Sequence, residues 1–571
     1  MSYNIGDNII APLGYTTDEV YQQVLEGCTS LKRYETFWGV PEPFVASLFS
    51  EEQRGSLLCD GLTFFESIAY RSASAAIAVA QSNDQDFTVK GDRTLFILST
   101  TKANVASLEV DGKVAYPGEA AQRVAERLGV TTIPLVICNA CISGLSALIT
   151  AHRLLASHKV DYVIVCGADV QSLFIVSGFQ SLKALSLQPC RPFDIERNGL
   201  NLGEAAATIV LSAHPVNAGT CCEIRDGVVR NDAYHISTPV KSGDGLTMAL
   251  RKVLEDEETV DEIAFINAHG TATLFNDQME AVALGRVDLR AVRVNALKGY
   301  IGHTMGAAGI LETLLSMRSL GEGVVLGTKG YASEGVSPVL NISADRQRVD
   351  GKVFLKMLSG FGGCNAVLSC GISGIAKQKS IPDPLLKRTH HVLLTPHIAE
   401  VDSCPIEIKE ADSELLVELY KKYVGDYPKF FKMDSLCRLG FVATELLLRK
   451  EGSPVCGESR SVILFNHSSS IDTDRKYLSE LSARGGYFPS PSLFVYTLPN
   501  IVASEIAIRN HYKAETCVYI LPRLNQQIME AVIKATFCDV SVRSIITGWL
   551  DYESAEKYIA DLCIIEKNDK K

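Results

Sequence analysis

Two cysteines, Cys138 and Cys141, lie three residues apart in the segment VICNACISG at residues 136–144. This spacing is compatible with half of a zinc site, with a redox pair, or with one reactive thiol beside a structural cysteine. A zinc site would need a second pair at ligand spacing, and the other close pair, Cys221-Cys222, is adjacent. A redox pair stays open as an alternative, but Cys138 falls inside an apolar, strand-like run. The pattern therefore favours Cys141 as the reactive thiol and Cys138 as a core residue.

The residues around Cys141 predict a strand, a turn and a helix in succession. IPLVIC at 133–138 is typical of a buried strand, NAC is a turn of small residues, and ISGLSALITAHRLLA is typical of an apolar helix. A thiol at a helix N-terminus meets unpaired N–H groups and the helix dipole, which favour the thiolate. The same N–H groups can hold an oxyanion when the thiol attacks a carbonyl. The alternative is a buried structural cysteine.

Two histidines lie in turns rich in small residues. His269 follows the apolar run EIAFI within NAHGTAT at 267–273, and His303 lies between glycines in GYIGHTMGAAG at 299–309. A lone histidine in such a loop is usually a turn residue. Two of them together with a cysteine at a helix start predict an activated nucleophile.

With these motifs, the sequence resembles the elongating β-ketoacyl-acyl carrier protein synthases, condensing enzymes of the thiolase superfamily. The resemblance spans about residues 3–375 and rests on five motifs in the same order, which are NACISG, RPFDIERNGLNLGEAA, NAHGTATLFNDQME, NALKGYIGHTMGAAGILE and SGFGGCNA. It implies that Cys141 accepts the acyl group and that His269 and His303 are the two catalytic histidines. It also implies that Lys298 and Glu312 orient the second histidine and balance the charge of the site.

The segment SGFGGCNA at 359–366 resembles the family's gating loop. The resemblance implies that Phe361 gates the acyl site, and that a backbone N–H of the loop at Phe361 and Gly362 forms the oxyanion hole with Cys141. Thr271 and Thr273 of the first histidine motif are expected to support the site.

Four positions depart from the family pattern, namely Ala205, Ala272, Ser359 and Cys364. Ser359 replaces the usual aromatic residue just before the gate. The smaller side chain either loosens the gate for an unusual chain or is a neutral change in the core, and the sequence leaves both interpretations open.

The implied reaction is a decarboxylative Claisen condensation that requires neither a metal nor an organic cofactor. Cys141 takes an acyl chain from a carrier protein, and the two histidines stabilise the enolate formed when malonyl-carrier protein loses carbon dioxide. A degradative thiolase would carry a second cysteine in place of one histidine, and an initiating synthase an asparagine. The pair of histidines therefore favours elongation, with acyl carrier protein as the partner.

Strand-like runs alternate with alanine-rich helical stretches, which predicts an α/β fold with buried sheets. The family resemblance implies the five-layered αβαβα thiolase fold built from two related halves. The predicted units are a half with the nucleophile at 1–220, a half with both histidine motifs at 221–376, a linker at 377–390 and a truncated half at 391–571.

The last unit repeats features of the first. FFESIAYRSASAAIAVA from Phe64 resembles KMDSLCRLGFVATELLL from Lys432, and TLFILST at 94 resembles SVILFNH at 461. Two further segments also have counterparts: IPLVICNACISG resembles PSLFVYTLPN, and DYVIVCG resembles ETCVYIL. This alignment places the counterpart of Cys141 near Pro499 or Asn500. The unit resembles the cysteine-free chain length factors that accompany ketosynthases in aryl polyene and flexirubin-type pathways. We expect it to act as an internal pseudo-partner that sets chain length; a degenerate, purely structural duplication is the alternative.

Composition limits the other possibilities. The chain has 571 residues and a net charge of −11, which argues against a nucleic-acid surface. The N-terminus lacks the pattern of a signal peptide, and polar residues interrupt the apolar run at 133–156, so a cytoplasmic protein without a membrane span is expected. We expect either a homodimer or an intramolecular pseudo-dimer. The competing hypothesis is a non-catalytic, carrier-binding chain length factor; a hydrolase is disfavoured because no acid that could position water stands beside the nucleophile.

Overall fold

The first predicted unit, residues 1–220, forms a mixed five-stranded sheet with helices on both faces; it is called the first half below. The structure, a computed structural model, describes residues 1–112, 116–215, 222–255, 260–372, 384–406, 415–451, 455–483 and 489–568. The strands of the first half are β1 (Ser2–Ile10), β2 (Lys32–Tyr34), β3 (Phe44–Ser47), β4 (Thr94–Ser99), β5 (Leu135–Ile137), β6 (Tyr162–Asp169), β7 (Leu202–Gly203) and β8 (Ala205–Ser212). Its helices are α1 (Thr17–Leu25), α2 (Glu51–Leu57), α3 (Phe64–Asn83), α4 (Val105–Asp111), α5 (Pro117–Leu128), α6 (Ser143–Ala156) and α7 (Leu173–Ser181).

The order of the main strands is β1-β8-β6-β4-β5, in which β4, β5 and β6 are parallel to one another. The strands expected from TLFILST, IPLVIC, DYVIVCG and ATIVLSA are confirmed. The apolar run at 133–156 is confirmed as β5 followed by the fully buried helix α6. No helix in the described part of the chain is both long enough and apolar enough to cross a bilayer.

The second half repeats this arrangement. Its strands are β9 (Cys222–Asn231), β10 (Ile263–Asn267), β11 (Arg293–Asn295), β12 (Val324–Val325), β13 (Asn341–Ile342), β14 (Gln347–Arg348), β15 (Val353–Gly360) and β16 (Cys364–Ile372). Its helices are α8 (Asp244–Leu254), α9 (Leu274–Arg286), α10 (Lys298–Ile301) and α11 (Ala308–Gly321). The strand order β9-β16-β15-β10-β11 has the same directions as in the first half, so the two halves are related.

These two halves stack into five layers. Helices α3 and α5 cover the outer face of the first sheet, and α8 and α9 lie on the outer side of the second sheet. Helices α6 and α11 pack between the two sheets, where almost every side chain is buried. Apolar strands buried on both faces need helices on both sides, which explains the layering.

The C-terminal segment, residues 384–568, forms a third sheet of the same order. Its strands are β17 (Leu386–Leu394), β18 (Ala399–Val401), β19 (Cys404–Pro405), β20 (Arg460–Asn466), β21 (Thr516–Ile520), β22 (Ser544–Ser554) and β23 (Lys557–Lys567). Its helices are α12 (Leu415–Tyr423), α13 (Ser435–Leu448), α14 (Ile471–Ala483), α15 (Pro491–Tyr496), α16 (Ile501–Asn510) and α17 (Gln526–Thr536). The order β17-β23-β22-β20-β21 matches that of the other two sheets.

The first and third sheets join edge to edge. Strand β21 runs antiparallel to β5, with Tyr519 opposite Ile137 and Ile520 opposite Val136, and α17 packs against α6. Two ion pairs also join the C-terminal segment to the rest of the chain: Arg153 of α6 to Glu515 at 2.5 Å, and Arg230 of β9 to Asp539 at 2.6 Å. All four side chains are buried, so this contact is part of the folded core.

The strand pairing corrects one prediction about the repeat. The match of TLFILST to SVILFNH holds, because β4 and β20 occupy the same place in their sheets. In the first sheet, Ser99 of β4 pairs with Ile137 of β5; in the third sheet, Asn466 of β20 pairs with Ile520 of β21. Ile137 therefore corresponds to Ile520. Counting on along both segments, Cys141 corresponds to Leu524. The prediction of a counterpart near Pro499 or Asn500 is wrong. PSLFVY forms helix α15, and ETCVYIL holds the counterpart of β5 rather than that of β6.

The predicted linker at 377–390 is also too long. Residues 377–383 lie outside the described part of the chain, but β17 begins at Leu386. Its pairing with β23 draws the last five linker residues into the sheet. The basic sequence LKRTHH did not suggest a strand, and most side chains of β17 are exposed or only partly buried.

Candidate active site

Cys141 lies in a tight turn between β5 and α6. Ala140, just before it, has a φ of 47°, a left-handed conformation that is uncommon for a residue with a side chain. The hydroxyl of Ser143 fixes the turn by accepting from the Asn139 N–H at 2.8 Å and donating to the Ala140 carbonyl at 2.6 Å. Cys138 is buried just beyond the end of β5, as expected of a core residue, and both cysteines are free thiols.

The structure brings both predicted histidines to this turn. His269 follows β10, and His303 follows α10. The Sγ of Cys141 and one ring nitrogen of each histidine all lie within 4.8 Å of one another. The two rings are nearly perpendicular, with centroids 5.1 Å apart.

Both histidines are neutral in this site. Burial lowers the pKa of His269 and of His303 well below the usual value, and the nearby Lys298 and Lys356 ammonium groups lower both further. Nδ1 of His303 accepts from the Met305 N–H at 3.3 Å, so Nε2 carries the hydrogen, and it has no partner among the described residues. The ring of His303 therefore offers a buried hydrogen-bond donor that a reacting group can use.

The Cys141 thiol is protonated at rest. Burial raises its pKa to about 12, and this outweighs the opposing effects of the Lys298 charge and of the backbone N–H groups of Cys141 and Phe361. The backbone N–H groups favour the thiolate, as the sequence predicted, but the sequence does not show the desolvation around the sulfur that outweighs them.

The backbone N–H groups of Cys141 and Phe361 are directed at the sulfur and favour its thiolate form. The N–H of Gly362 is already used, since it donates to the Ile236 carbonyl at 2.6 Å. Within the loop that includes Phe361 and Gly362, the donor available for an oxyanion is thus Phe361. Gly362 has a φ of 93°, and a Cβ there would lie 2.3 Å from the Ser504 hydroxyl, so this position requires glycine.

Lys298 and Glu312 contact the first histidine turn rather than the second. Lys298 Nζ donates to the His269 carbonyl and to Glu312 Oε1, both at 2.7 Å. Glu312 Oε2 accepts from Lys356 at 2.5 Å. Burial alone would raise the pKa of Glu312, but the two ammonium groups hold it below its usual value. Lys298 and Glu312 form an ion pair, and the histidine that Lys298 contacts is His269 rather than the predicted His303.

Sequence reasoning missed three buried groups of the site: Lys356, Glu280 and Asp169. Glu280 accepts from the backbone N–H of His269 at 2.7 Å and from that of Gly270 at 2.9 Å. Burial and, to a lesser degree, the nearby Asp277 raise the pKa of Glu280 to about 7. The signal for Lys356 was a single lysine inside the apolar run VFLKML, and the signal for Glu280 was an acid on the inner side of a predicted helix.

Asp169 ties the second histidine turn to the first sheet. It accepts from the Thr100 hydroxyl at 2.6 Å and from the Gly306 N–H at 2.7 Å. Burial raises its pKa to about 6. The predicted supporting residues Thr271 and Thr273 instead hydrogen-bond each other at 2.9 Å, which shapes the turn after His269.

The candidate nucleophile opens onto a narrow apolar cavity of about 20 Å³. Its walls come from several parts of the chain, and the lining residues are Thr101, Lys102, Ala140, Cys141, Ile175, Phe179, Met305, Phe361, Phe494 and Leu498. Phe494 and Leu498 belong to the C-terminal segment. The ring of Phe494 lies against Gly178, where a Cβ would meet it at 2.1 Å.

The sulfur of Cys141 and the nitrogens of His269 and His303 are ligand types that a thiophilic divalent ion such as zinc prefers. Such an ion would occupy the atoms that the expected reaction needs. A resident ion and the expected acyl transfer therefore exclude each other at this trio.

The sequence matches two profiles of one family. Residues 67–215 match the β-ketoacyl synthase N-terminal domain, and residues 221–331 match the β-ketoacyl synthase C-terminal domain. Nodulation protein E of Rhizobium meliloti (strain 1021) is 30% identical over 295 residues, which are 50% of this chain and 72% of that protein. The chain belongs to the β-ketoacyl synthase family. Members of this family are acyl-transferring enzymes, so the predicted family and enzyme class are confirmed.

Solved structures show the same fold for this β-ketoacyl synthase. The PfaC keto synthase-chain length factor has a TM-score of 0.73 at 14% identity and covers 99% of this chain and 78% of its own. A ketosynthase in complex with its chain length factor from Xenorhabdus doucetiae has a TM-score of 0.55 at 22% identity, with 65% of this chain and 98% of that chain covered. The predicted thiolase-like αβαβα fold is thereby confirmed.

Proposed function

We propose that this β-ketoacyl synthase elongates a carrier-bound acyl chain by decarboxylative Claisen condensation. The Cys141 sulfur attacks the thioester carbonyl of an acyl-carrier protein, and the carrier thiol leaves. A malonyl-carrier protein then loses carbon dioxide, and the electrons of the broken carbon–carbon bond form an enolate. The enolate carbon attacks the Cys141 thioester, a new carbon–carbon bond forms, and the thiol is regenerated.

The approach of Cys141, His269 and His303 to within 4.8 Å is the observation that carries this proposal. Neutral histidines can donate to the malonyl thioester oxygen as it gains negative charge, and such donors are worth about 10²–10³ in rate. The N–H groups of Cys141 and Phe361 supply the second oxyanion site, on the acyl-enzyme side. Because the resting thiol is protonated, its proton must leave as the sulfur attacks. His269 is the base that we propose, since the acceptor nitrogen of His303 is already taken by the Met305 N–H.

We also propose that the C-terminal segment acts as an internal partner. It pairs with β5, the strand that leads to Cys141, and the Asn500 side chain donates to the Phe361 carbonyl at 2.9 Å. Phe494 and Leu498 close the acyl cavity. A cavity of about 20 Å³ has room for a single water molecule, so an acyl chain can enter only when lining side chains move. This supports a role in setting chain length.

Three phenylalanine rings that line the cavity support the proposal of an aryl or polyene substrate. The ring centroid of Phe179 lies 6.2 Å from that of Phe361 and 5.5 Å from that of Phe494. Flat, conjugated chains stack well on such rings, whereas a saturated chain gains only apolar contact. Carrier-bound polyene intermediates are therefore the substrates that we propose.

Intact-mass analysis tests the proposed condensation. The purified chain is incubated with acyl carrier proteins loaded with aryl, polyene or alkyl starters, then with malonyl-loaded carrier. We expect an acyl adduct on Cys141, and a product two carbons longer after malonyl addition. Cys141→Ala is the matched control. An unmodified Cys141 with every starter would contradict the proposal and favour a non-catalytic, carrier-binding role.

A further inference from the structure

Lys356 is a buried lysine in the middle of an apolar strand. Every residue of β15 from Val353 to Ser359 is buried, and Lys356 itself is 0% exposed. Phe354 and Leu358, two residues to either side, both pack into the central core between the sheets. Because side chains alternate along a strand, Lys356 faces the same layer, towards α11 and the histidine turns.

The Lys356 ammonium makes two contacts behind His269. Its Nζ donates to Glu312 Oε2 at 2.5 Å and to the Ala268 carbonyl at 3.1 Å. Lys298 donates to the other oxygen of Glu312 and to the carbonyl of His269. Two consecutive carbonyls of the histidine turn are thus held by two ammonium groups that share one carboxylate.

This arrangement concentrates positive charge next to the reacting atoms. Lys298 and Lys356 share the single carboxylate of Glu312. Burial lowers the pKa of Lys356 to about 8, so Lys356 still carries most of its positive charge at neutral pH. Glu280 is the next acid, and since its pKa lies at about 7 it offsets the excess only in part at neutral pH. Burying unbalanced charge is costly unless an anion compensates it. The enolate of the proposed condensation is such an anion.

We propose that Lys356 is a second positioning residue for the decarboxylation step. It fixes the His269 turn through the Ala268 carbonyl and adds a positive field that favours the developing enolate. The inference rests on the proposed condensation and extends it, because it assigns Lys356 to the malonyl half-reaction and not to acylation of Cys141.

The two half-reactions can be measured separately on the full chain. Decarboxylation is followed as conversion of malonyl-pantetheine to acetyl-pantetheine, and acylation as the rate at which hexanoyl-pantetheine modifies Cys141. In Lys356→Met we expect kcat for decarboxylation to fall by about tenfold or more, with KM changed by less than about threefold. The rate of acylation should stay within about threefold of wild type.

Two further variants separate charge from structure. Lys356→Gln keeps a hydrogen-bond donor but removes the charge, so the field argument expects it to lose as much kcat as Lys356→Met. Lys352→Met, at an exposed lysine just before β15, is the control and should behave as wild type. Thermal unfolding of each variant reports on the fold.

The possible results lead to different conclusions. Wild-type kcat for decarboxylation in both Lys356 variants overturns the inference. An equal loss in both half-reactions with a lower Tm also overturns it, because that pattern indicates a structural role only. Wild-type kcat in Lys356→Gln, with reduced kcat in Lys356→Met, would overturn the proposed contribution of the charge. If the wild-type chain acylates Cys141 but never decarboxylates malonyl-pantetheine or malonyl-carrier protein, the proposed condensation fails instead.

Discussion

The side-chain amide of Asn139 donates a hydrogen bond of 3.0 Å to the backbone carbonyl of Thr516. Asn139 begins the turn that presents Cys141, and Thr516 begins β21 of the C-terminal segment. The Thr516 hydroxyl accepts from Asn231, whose side-chain amide also donates to the Gly362 carbonyl. One residue of the C-terminal segment therefore contacts the nucleophile turn directly and the gating loop through a shared partner. The site depends on this segment for its shape.

We expect the protein to be a monomer in solution. The edge of β5, which could pair with a second copy, is already paired with β21 of the same chain. Light scattering coupled to gel filtration should give a mass near 62 kDa. A stable dimer across a concentration series would contradict the internal-partner proposal.

Phe494→Ala should lengthen the acyl chain that Cys141 accepts. Phe494 closes the cavity, so its removal opens space towards the C-terminal segment. The ratio of acylation rates for dodecanoyl- over hexanoyl-carrier protein should rise by about tenfold, at a stability cost of about 3 kcal/mol. Phe431→Ala, at an exposed ring of the same segment, is the control and should change neither quantity.

Gly178→Ala tests the same contact from the other side. The added Cβ would overlap the Phe494 ring, so this variant should lower Tm. The double variant with Phe494→Ala should regain most of that loss, since the overlapping ring is gone. Additive losses would show that the two positions are independent.

Glu515→Gln should strongly weaken the docking of the C-terminal segment. It leaves the Arg153 guanidinium buried without its charge partner, which typically costs about 3–5 kcal/mol. Asp161→Asn is the matched control, because Asp161 pairs with Arg93 at the same 2.5 Å but at the surface, where such pairs contribute about 0–1 kcal/mol. Thermal unfolding compares the two. Similar small shifts would mean that the buried pair does not hold the interface.

Alkylation of Cys141 should keep accelerating up to high pH. Burial raises the pKa of the thiol to about 12, so below that value the reactive thiolate increases about tenfold for each pH unit. The rate of iodoacetamide modification at Cys141, followed by peptide mass analysis, should rise throughout pH 7–10. Because exposed Cys404 and Cys456 react as well, Cys141→Ala supplies the background. A plateau below pH 9 would instead indicate a resting thiolate.

Glu280→Gln should remove a pH dependence near neutrality. The pKa of Glu280 is raised to about 7, so its carboxylate is present above pH 7 and is lost as the pH falls through 7. Protonation weakens the hydrogen bonds that Glu280 accepts from the backbone N–H groups of His269 and Gly270, and we expect this loss of positioning to outweigh the gain in net positive charge. Wild-type decarboxylation should therefore decline below pH 7, whereas the variant should be slower and nearly flat over pH 6–8. Exposed Glu35→Gln should retain the wild-type profile.

The parts of the site that the sequence predicted are those set by local pattern. Cys141, His269 and His303 each sit at a strand or helix end in a run of small residues, and such turns are visible in a short window. Lys298 and Glu312 were found with them, but their partner was misassigned. The carbonyl that Lys298 contacts is contributed by a turn 29 residues away, and no local pattern encodes that contact.

The error over the repeat has a related origin. Matching order along the chain placed the counterpart of Cys141 at Asn500, whereas strand pairing places it at Leu524. Asn500 nevertheless reaches the site, since it donates to the Phe361 carbonyl. The sequence could not show this, because the contact joins residues 139 positions apart.

By itself, the sequence determined the family, the alternation of strands and helices, and the three residues that can perform the chemistry. Periodicity and turn chemistry are properties of neighbouring residues, so they are readable without a fold. Tertiary structure alone decided the protonation of Cys141, the shared carboxylate of Lys298 and Lys356, and the closing of the acyl cavity by Phe494. Each of these depends on desolvation or on contact between distant segments, and those arise only when the sheets pack together.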